Sequence, residues 1–139
     1  MAGFWSNDLD YVLCRTPDPV DPFLNATGGV VLDLSSTDPP SECPSNHVIT
    51  AIADLNNYYY IRLDEAKCLP LAEKWKIDYF RCVIKTVVAA RAPLSNMTNW
   101  SNQCPVDDNV YFITQLIYYT GKNYLKEFKC CPAIKFMFN

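Results

Sequence analysis

Two stretches of the chain cluster apolar, β-branched and aromatic residues over strand-length runs: Val48-Ile49-Thr50-Ala51-Ile52-Ala53 and Val110-Tyr111-Phe112-Ile113-Thr114-Gln115-Leu116-Ile117. Each run is short and bounded by Pro, Asn, Asp or Gly, which predicts strands rather than helices. Asn56-Asn57 and Gly121-Lys122-Asn123 supply turn chemistry, so Tyr58 to Leu63 and Tyr124 to Phe128 are expected to return as antiparallel partners. The stretch from Leu69 to Val88 is ambiguous, since Ala72 to Lys76 and the run beginning at Val83 leave room for one short helix. Val83, Ile84, Thr86, Val87 and Val88 tilt the balance toward strand. The proline-rich segment from Cys14 to Pro44 reads as mostly loop. No apolar run approaches the roughly 18 residues of a membrane-spanning helix, because Lys85 and Thr86 interrupt the longest one.

The two hairpins look like copies. The first runs from Cys43-Pro44 to Cys68 and the second from Cys104-Pro105 to Cys130. Both open on Cys-Pro, place Asn and Val a few residues later, carry an apolar run and a tyrosine cluster, and close on Cys. Upstream, Trp5 to Cys14 resembles Trp75 to Cys82, and a proline-containing stretch with a glycosylation sequon follows each. The reading is a single extracellular domain over 1–139 with an internal pseudo-repeat, 1–70 and 71–139.

Composition adds a compartment. Seven cysteines stand in 139 residues, and no Cys-x-x-Cys pair occurs, which favours disulfides over a structural zinc site. The cysteines fall into two sets of three in matching places plus Cys131. A strand running out and back brings its ends together, so Cys43 with Cys68 and Cys104 with Cys130 are natural bridges. Cys14 and Cys82 precede the two hairpins and are expected to tie them together, leaving Cys131 as the odd thiol. The rival pairing joins Cys82 to Cys131 and leaves Cys14. Sequons at Asn25, Asn96 and Asn99 agree with a secreted glycoprotein. The N-terminal residues show neither the basic nor the apolar region of a signal peptide, so the chain reads either as cytosolic or, as the favoured expectation, as a mature segment behind an added Met.

A formal net charge of -3, with basic residues spread along the chain, disfavours nucleic acid as a partner. His47 is the only histidine, and there is neither a G-x-S-x-G nor a Gly-rich phosphate loop, so no catalysis is expected. Paired acids such as Asp64-Glu65 and Asp107-Asp108 read as solvated turns, and no EF-hand spacing occurs. No cofactor or metal is called for. Binding is the expected activity, with Tyr58, Tyr59, Tyr60, Tyr118 and Tyr119 as candidate contacts, since tyrosine offers a rigid amphipathic face.

With Cys43-Pro44-Ser45-Asn46-His47-Val48-Ile49, a tyrosine-rich middle and the closing Phe128-Lys129-Cys130-Cys131, the chain resembles the dermatopontin family. That resemblance implies a small, acidic, tyrosine-rich extracellular protein of disulfide-closed repeats, acting in matrix or adhesion or, in invertebrates, as an agglutinin or shell-matrix protein. It covers two stretches of about 28 residues. The chain departs from the family where an Asp-Arg-x-aromatic-x-Phe segment should precede the closing cysteine: Arg62 to Ala66 and Tyr124 to Phe128 stand there instead. The first loop also lacks the double cysteine, and Trp75 stands seven residues before Cys82. The combined expectation is a mainly β protein, a disulfide-stapled antiparallel sheet, sandwich or barrel from two related hairpin units. It would be a secreted binding module for an extracellular protein or glycan, without membrane insertion, in matrix, receptor or glycan adhesion, and open to disulfide-linked or non-covalent self-association. The alternative is a small carrier of a hydrophobic ligand.

Overall fold

The computed structural model describes residues 3–4, 12–13, 22–34, 42–53, 64–87, 102–118 and 125–136. In chain order the strands are β1 (Gly3–Phe4), β2 (Val12–Leu13), β3 (Val30–Asp33), β4 (His47–Ala53), β5 (Glu65–Pro70) and β6 (Trp75–Ile77). A 3-10 turn (Tyr79–Arg81) precedes β7 (Val83–Thr86), β8 (Asn102–Gln103), β9 (Val110–Tyr118) and β10 (Leu125–Lys135). Every pairing is antiparallel: β2-β1-β8, β3-β5-β4, and a four-stranded sheet in which β10 pairs β6, β7 and β9. Among the described residues the sheets do not close into a barrel. The protein is mainly β, as its β-branched runs predict, and the stretch Ala72 to Lys76 is a turn at Glu73-Lys74 followed by the start of β6 rather than a helix.

Within the proline-rich segment read as mostly loop, Val30-Val31-Leu32-Asp33 forms β3; three apolar residues, two of them β-branched, suffice once β5 offers a ladder. One strand expectation is corrected. The strand that returns to β4 is Glu65–Pro70, later than Tyr58 to Leu63, which lie outside the described residues.

The same register recurs in two sheets. Cys68 on β5 lies between Val30 and Ile49, while Cys130 on β10 lies between Val83 and Ile113. One residue earlier, Lys67 lies between Val31 and Ala51, and Lys129 between Ile84 and Gln115. Thr50 and Thr114 are the extra residues in the two first strands, so each hairpin carries a β-bulge beside its closing cysteine. The bulge at Thr114 has a use: its carbonyl accepts the Cys43 N–H at 2.9 Å, joining the two hairpins.

Cys43–Cys68 and Cys104–Cys130 form as expected. Both sit in one buried cluster with Leu32, Ile49, Ile113, Leu116 and Phe128, filled from both hairpins. The third bridge is Cys82–Cys131, so the preferred pairing of Cys14 with Cys82 is corrected, and Cys131 is not an odd thiol. The reason is register: Val83 opposes Cys130, so the next pair outward in the ladder is Cys82 and Cys131, with Cα atoms 4.1 Å apart. Cys14 lies outside the described residues. The Cys82–Cys131 bridge belongs to a second cluster with Val48, Leu71, Ile77 and Phe112, against which Phe23 and Trp75 pack.

In the β3-β5-β4 sheet the place of Cys82 and Cys131 is taken by Gly29 and Leu69, one step beyond the Val30–Cys68 pair. A Cβ on Gly29 would stand 2.9 Å from Leu69 Cδ2, so the leucine fills the space a cross-strand partner would use. The double substitution Gly29→Cys/Leu69→Cys is therefore expected to close a fourth bridge. Thiol titration of the denatured protein should return the wild-type count; two extra thiols would show that the pair does not meet.

Candidate functional site

The 3-10 turn between β6 and β7 is short because its sequence caps itself. The Asp78 carboxylate accepts the Phe80 N–H at 3.2 Å, the Asp78 carbonyl accepts the Arg81 N–H at 3.2 Å, and Cys82 returns to extended geometry. Further ties hold it to the sheet. The Asp78 N–H donates to the Pro132 carbonyl at 2.9 Å, and Cys82 is bonded to Cys131.

Both Cys-Pro loops then converge on this turn. In the first, Asn46 adopts a left-handed backbone (φ 58), which asparagine tolerates better than most residues. Its N–H donates to the Tyr79 hydroxyl at 2.6 Å and its side-chain oxygen accepts the Ile77 N–H at 3.1 Å. In the second, the Asn109 side-chain oxygen accepts from Arg81 Nη1 at 3.5 Å, while Arg81 Nε donates to Asp78 Oδ2 at 2.7 Å. Asp107 accepts the Asn109 N–H at 2.7 Å and the Tyr111 hydroxyl at 3.0 Å.

The electrostatics follow the hydrogen bonds. The Arg81 guanidinium bonded to Asp78 holds that carboxyl below its ordinary range, against a desolvation that raises it. The Asn109 N–H does the same for Asp107, and partial burial with donation to Asp107 pushes the Tyr111 phenol up. These carboxylate contacts are therefore complete above the ordinary carboxylate range and are lost as the pH falls through the lowered values. The Arg81–Asp78 pair is solvent-exposed and contributes little alone; the disulfide and the backbone bonds fix the turn.

This fixed turn displays an unusual side chain. Phe80 has a relative exposure of 102%, and Val106, in the loop that grips Arg81, has 82%. Tyr79, Val83 and Ile84 are also exposed, so apolar side chains line the turn and the strand it leads into. Isolated exposed apolar residues are ordinary; here several share one braced turn and its following strand.

Of the binding residues expected from sequence, Tyr58, Tyr59, Tyr60 and Tyr119 lie outside the described residues; Tyr118 ends β9, its backbone paired with Leu125. Asn25 is exposed and its side-chain oxygen accepts from both the N–H and the hydroxyl of Thr27, at 3.0 and 2.8 Å. Asn96 and Asn99 lie outside the described residues. His47 is half-buried with Nδ1 2.8 Å from the Ser45 carbonyl, and the neighbouring Cys43 is bridged rather than a thiolate. Among the described residues no group of three His, Cys, Asp or Glu side chains is placed to hold a metal, and no helix is long and apolar enough to cross a membrane.

Sequence reasoning missed the Phe80 turn. The signal was present as Tyr79-Phe80 between Asp78 and Arg81, directly before a cysteine, but aromatic residues there read equally well as core.

Comparison with protein-family models, curated proteins and solved structures finds no match, and nothing in that outcome bears on the dermatopontin resemblance.

Proposed function

We propose that the protein is a secreted, non-catalytic binding module of the extracellular space, working in adhesion to a matrix protein, receptor or glycan through the Phe80 turn. The observation that carries this reading is the complete exposure of Phe80 on a turn held by a disulfide, a salt bridge and both Cys-Pro loops. Holding an aromatic side chain in water on a rigid support prepays the ordering entropy that binding otherwise costs. Three intrachain disulfides and the exposed Asn25 sequon support an oxidising, glycosylating compartment. The recurring register supports an origin from two copies of one hairpin unit, in which the tyrosine clusters remain a second contact surface.

Phe80→Ala tests the reading. Because Phe80 buries nothing, the melting temperature should stay within the small change expected of surface substitutions, about 0.5 kcal/mol. Binding of the purified protein to immobilised matrix extract and to a glycan array should fall at least about ten-fold, a central aromatic being worth upward of about 2 kcal/mol at an interface. Unchanged binding to every surface that the wild type recognises would refute it.

A further inference from the structure

We infer that the outer edge of β7, unpaired among the described residues, binds an extended peptide segment of a partner protein by strand addition, with an acidic residue of that segment facing Lys85. The inference rests on the binding-module reading and names the partner's chemistry.

Strand β7 pairs with β10 on one side alone among the described residues. The Val87 N–H donates to the Lys126 carbonyl, which continues the β10 ladder in the same register. Antiparallel ladders alternate inward and outward groups. The backbone N–H and C=O of Val83, Lys85 and Val87 thus face β10, and those of Ile84 and Thr86 face away from it. The 4.1 Å separation of the Cys82 and Cys131 Cα atoms places that pair in the narrow, non-hydrogen-bonded position, as this alternation requires. Neither Ile84 nor Thr86 makes a further backbone hydrogen bond among the described residues. Such an edge is a template for another strand.

The side chains fit the same use. Val83 and Ile84 are exposed on opposite faces of the strand, and Phe80 stands at its entrance. Lys85 has no carboxylate partner among the described residues, whereas Arg81 is paired with Asp78 and Lys129 with Glu42. An incoming antiparallel strand reading acidic–apolar–apolar would set its residues opposite Lys85, Ile84 and Val83 in turn, each a favourable cross-strand pair. The area argues for a peptide over a second copy. Phe80, Tyr79, Val83 and Ile84 offer on the order of a few hundred Å², short of the roughly 800 Å² per partner of a stable dimer. Strand addition draws its affinity from main-chain hydrogen bonds and needs less side-chain area.

The test uses the full oxidised chain and a displayed library of linear nine-residue peptides. Selection should enrich sequences with an acidic residue followed by two apolar ones. Ile84→Pro removes the outward N–H without touching the β10 ladder, a position that edge strands tolerate, and should weaken the selected peptides ten-fold or more. Lys85→Glu leaves the backbone intact and should shift the enriched residue from acidic to basic, which keeps the idea testable should Ile84→Pro not fold. Retained affinity in folded Ile84→Pro, or an unchanged preference in Lys85→Glu, would overturn the inference. So would wild-type dimers that Ile84→Pro dissociates, since the edge would then be filled by a second copy. Binding that needs Phe80 but not the Ile84 N–H would leave the module reading standing and remove strand addition; binding indifferent to both would remove the two together.

Discussion

Phe128→Ala is expected to destabilise the protein by about 3–5 kcal/mol, the range for emptying a buried aromatic site. Phe128 is fully buried on β10 between Lys85 and Leu116 in register, in the cluster that holds two of the disulfides. Its ring cannot be replaced by collapse of its neighbours, because Cys104–Cys130 and Cys43–Cys68 fix the cluster from both hairpins. At roughly 3 °C per kcal/mol for a chain of this size, the melting temperature should fall by about 10–15 °C. Val106→Ala, at a side chain largely in water, is the matched control and should leave it nearly unchanged. Comparable melting of the two variants in differential scanning calorimetry would show that the cluster is not the stabilising core.

Loss of the bridge between β7 and β10 should be nearly as severe and should also reach the Phe80 turn, proposed above as the binding site. The Cys82–Cys131 loop spans 49 residues, but with Cys104–Cys130 closed the path between its ends is roughly halved, and the chain-entropy contribution is about 3 kcal/mol. The double substitution Cys82→Ala/Cys131→Ala also strands the buried Thr114 hydroxyl, which lies 3.3 Å from Cys131 Sγ, adding about 1 kcal/mol. Urea unfolding should therefore show a loss of about 4 kcal/mol. The same variant unties Cys82 from the sheet at the end of the Phe80 turn, so its ligand binding should drop further than the unfolded fraction explains. A variant that loses stability but binds in proportion to its folded fraction would show that the turn's rigidity is irrelevant.

The parts of this protein that were legible beforehand are those set by neighbours in sequence. Val48 to Ala53 and Val110 to Ile117 are strands because β-branched and aromatic side chains favour a pleated, half-buried surface. The bridges Cys43–Cys68 and Cys104–Cys130 followed, since each closes a hairpin whose ends must meet. Residues 30–33 were less legible: four residues after Gly28-Gly29 have too little pattern to read as strand until β5 provides the ladder.

The candidate site was hardly legible at all. Asn46 and Asn109 were visible only as a shared spacing after Cys-Pro; that both would reach the turn at 78–81 depends on how the hairpins pack. Phe80 has the composition of a core residue, and only the tertiary structure puts it in water.

By itself, then, the sequence determined the β class, the hairpins and the two bridges closing them, because local propensity and short loop closure act over a few residues to a few tens. The tertiary structure alone decided that Cys82 meets Cys131, that Gly29 and Leu69 hold the corresponding place, and that the two loops clamp one exposed aromatic turn. Those outcomes rest on strand register between distant segments, where a slip of one residue would turn every side chain to the other face.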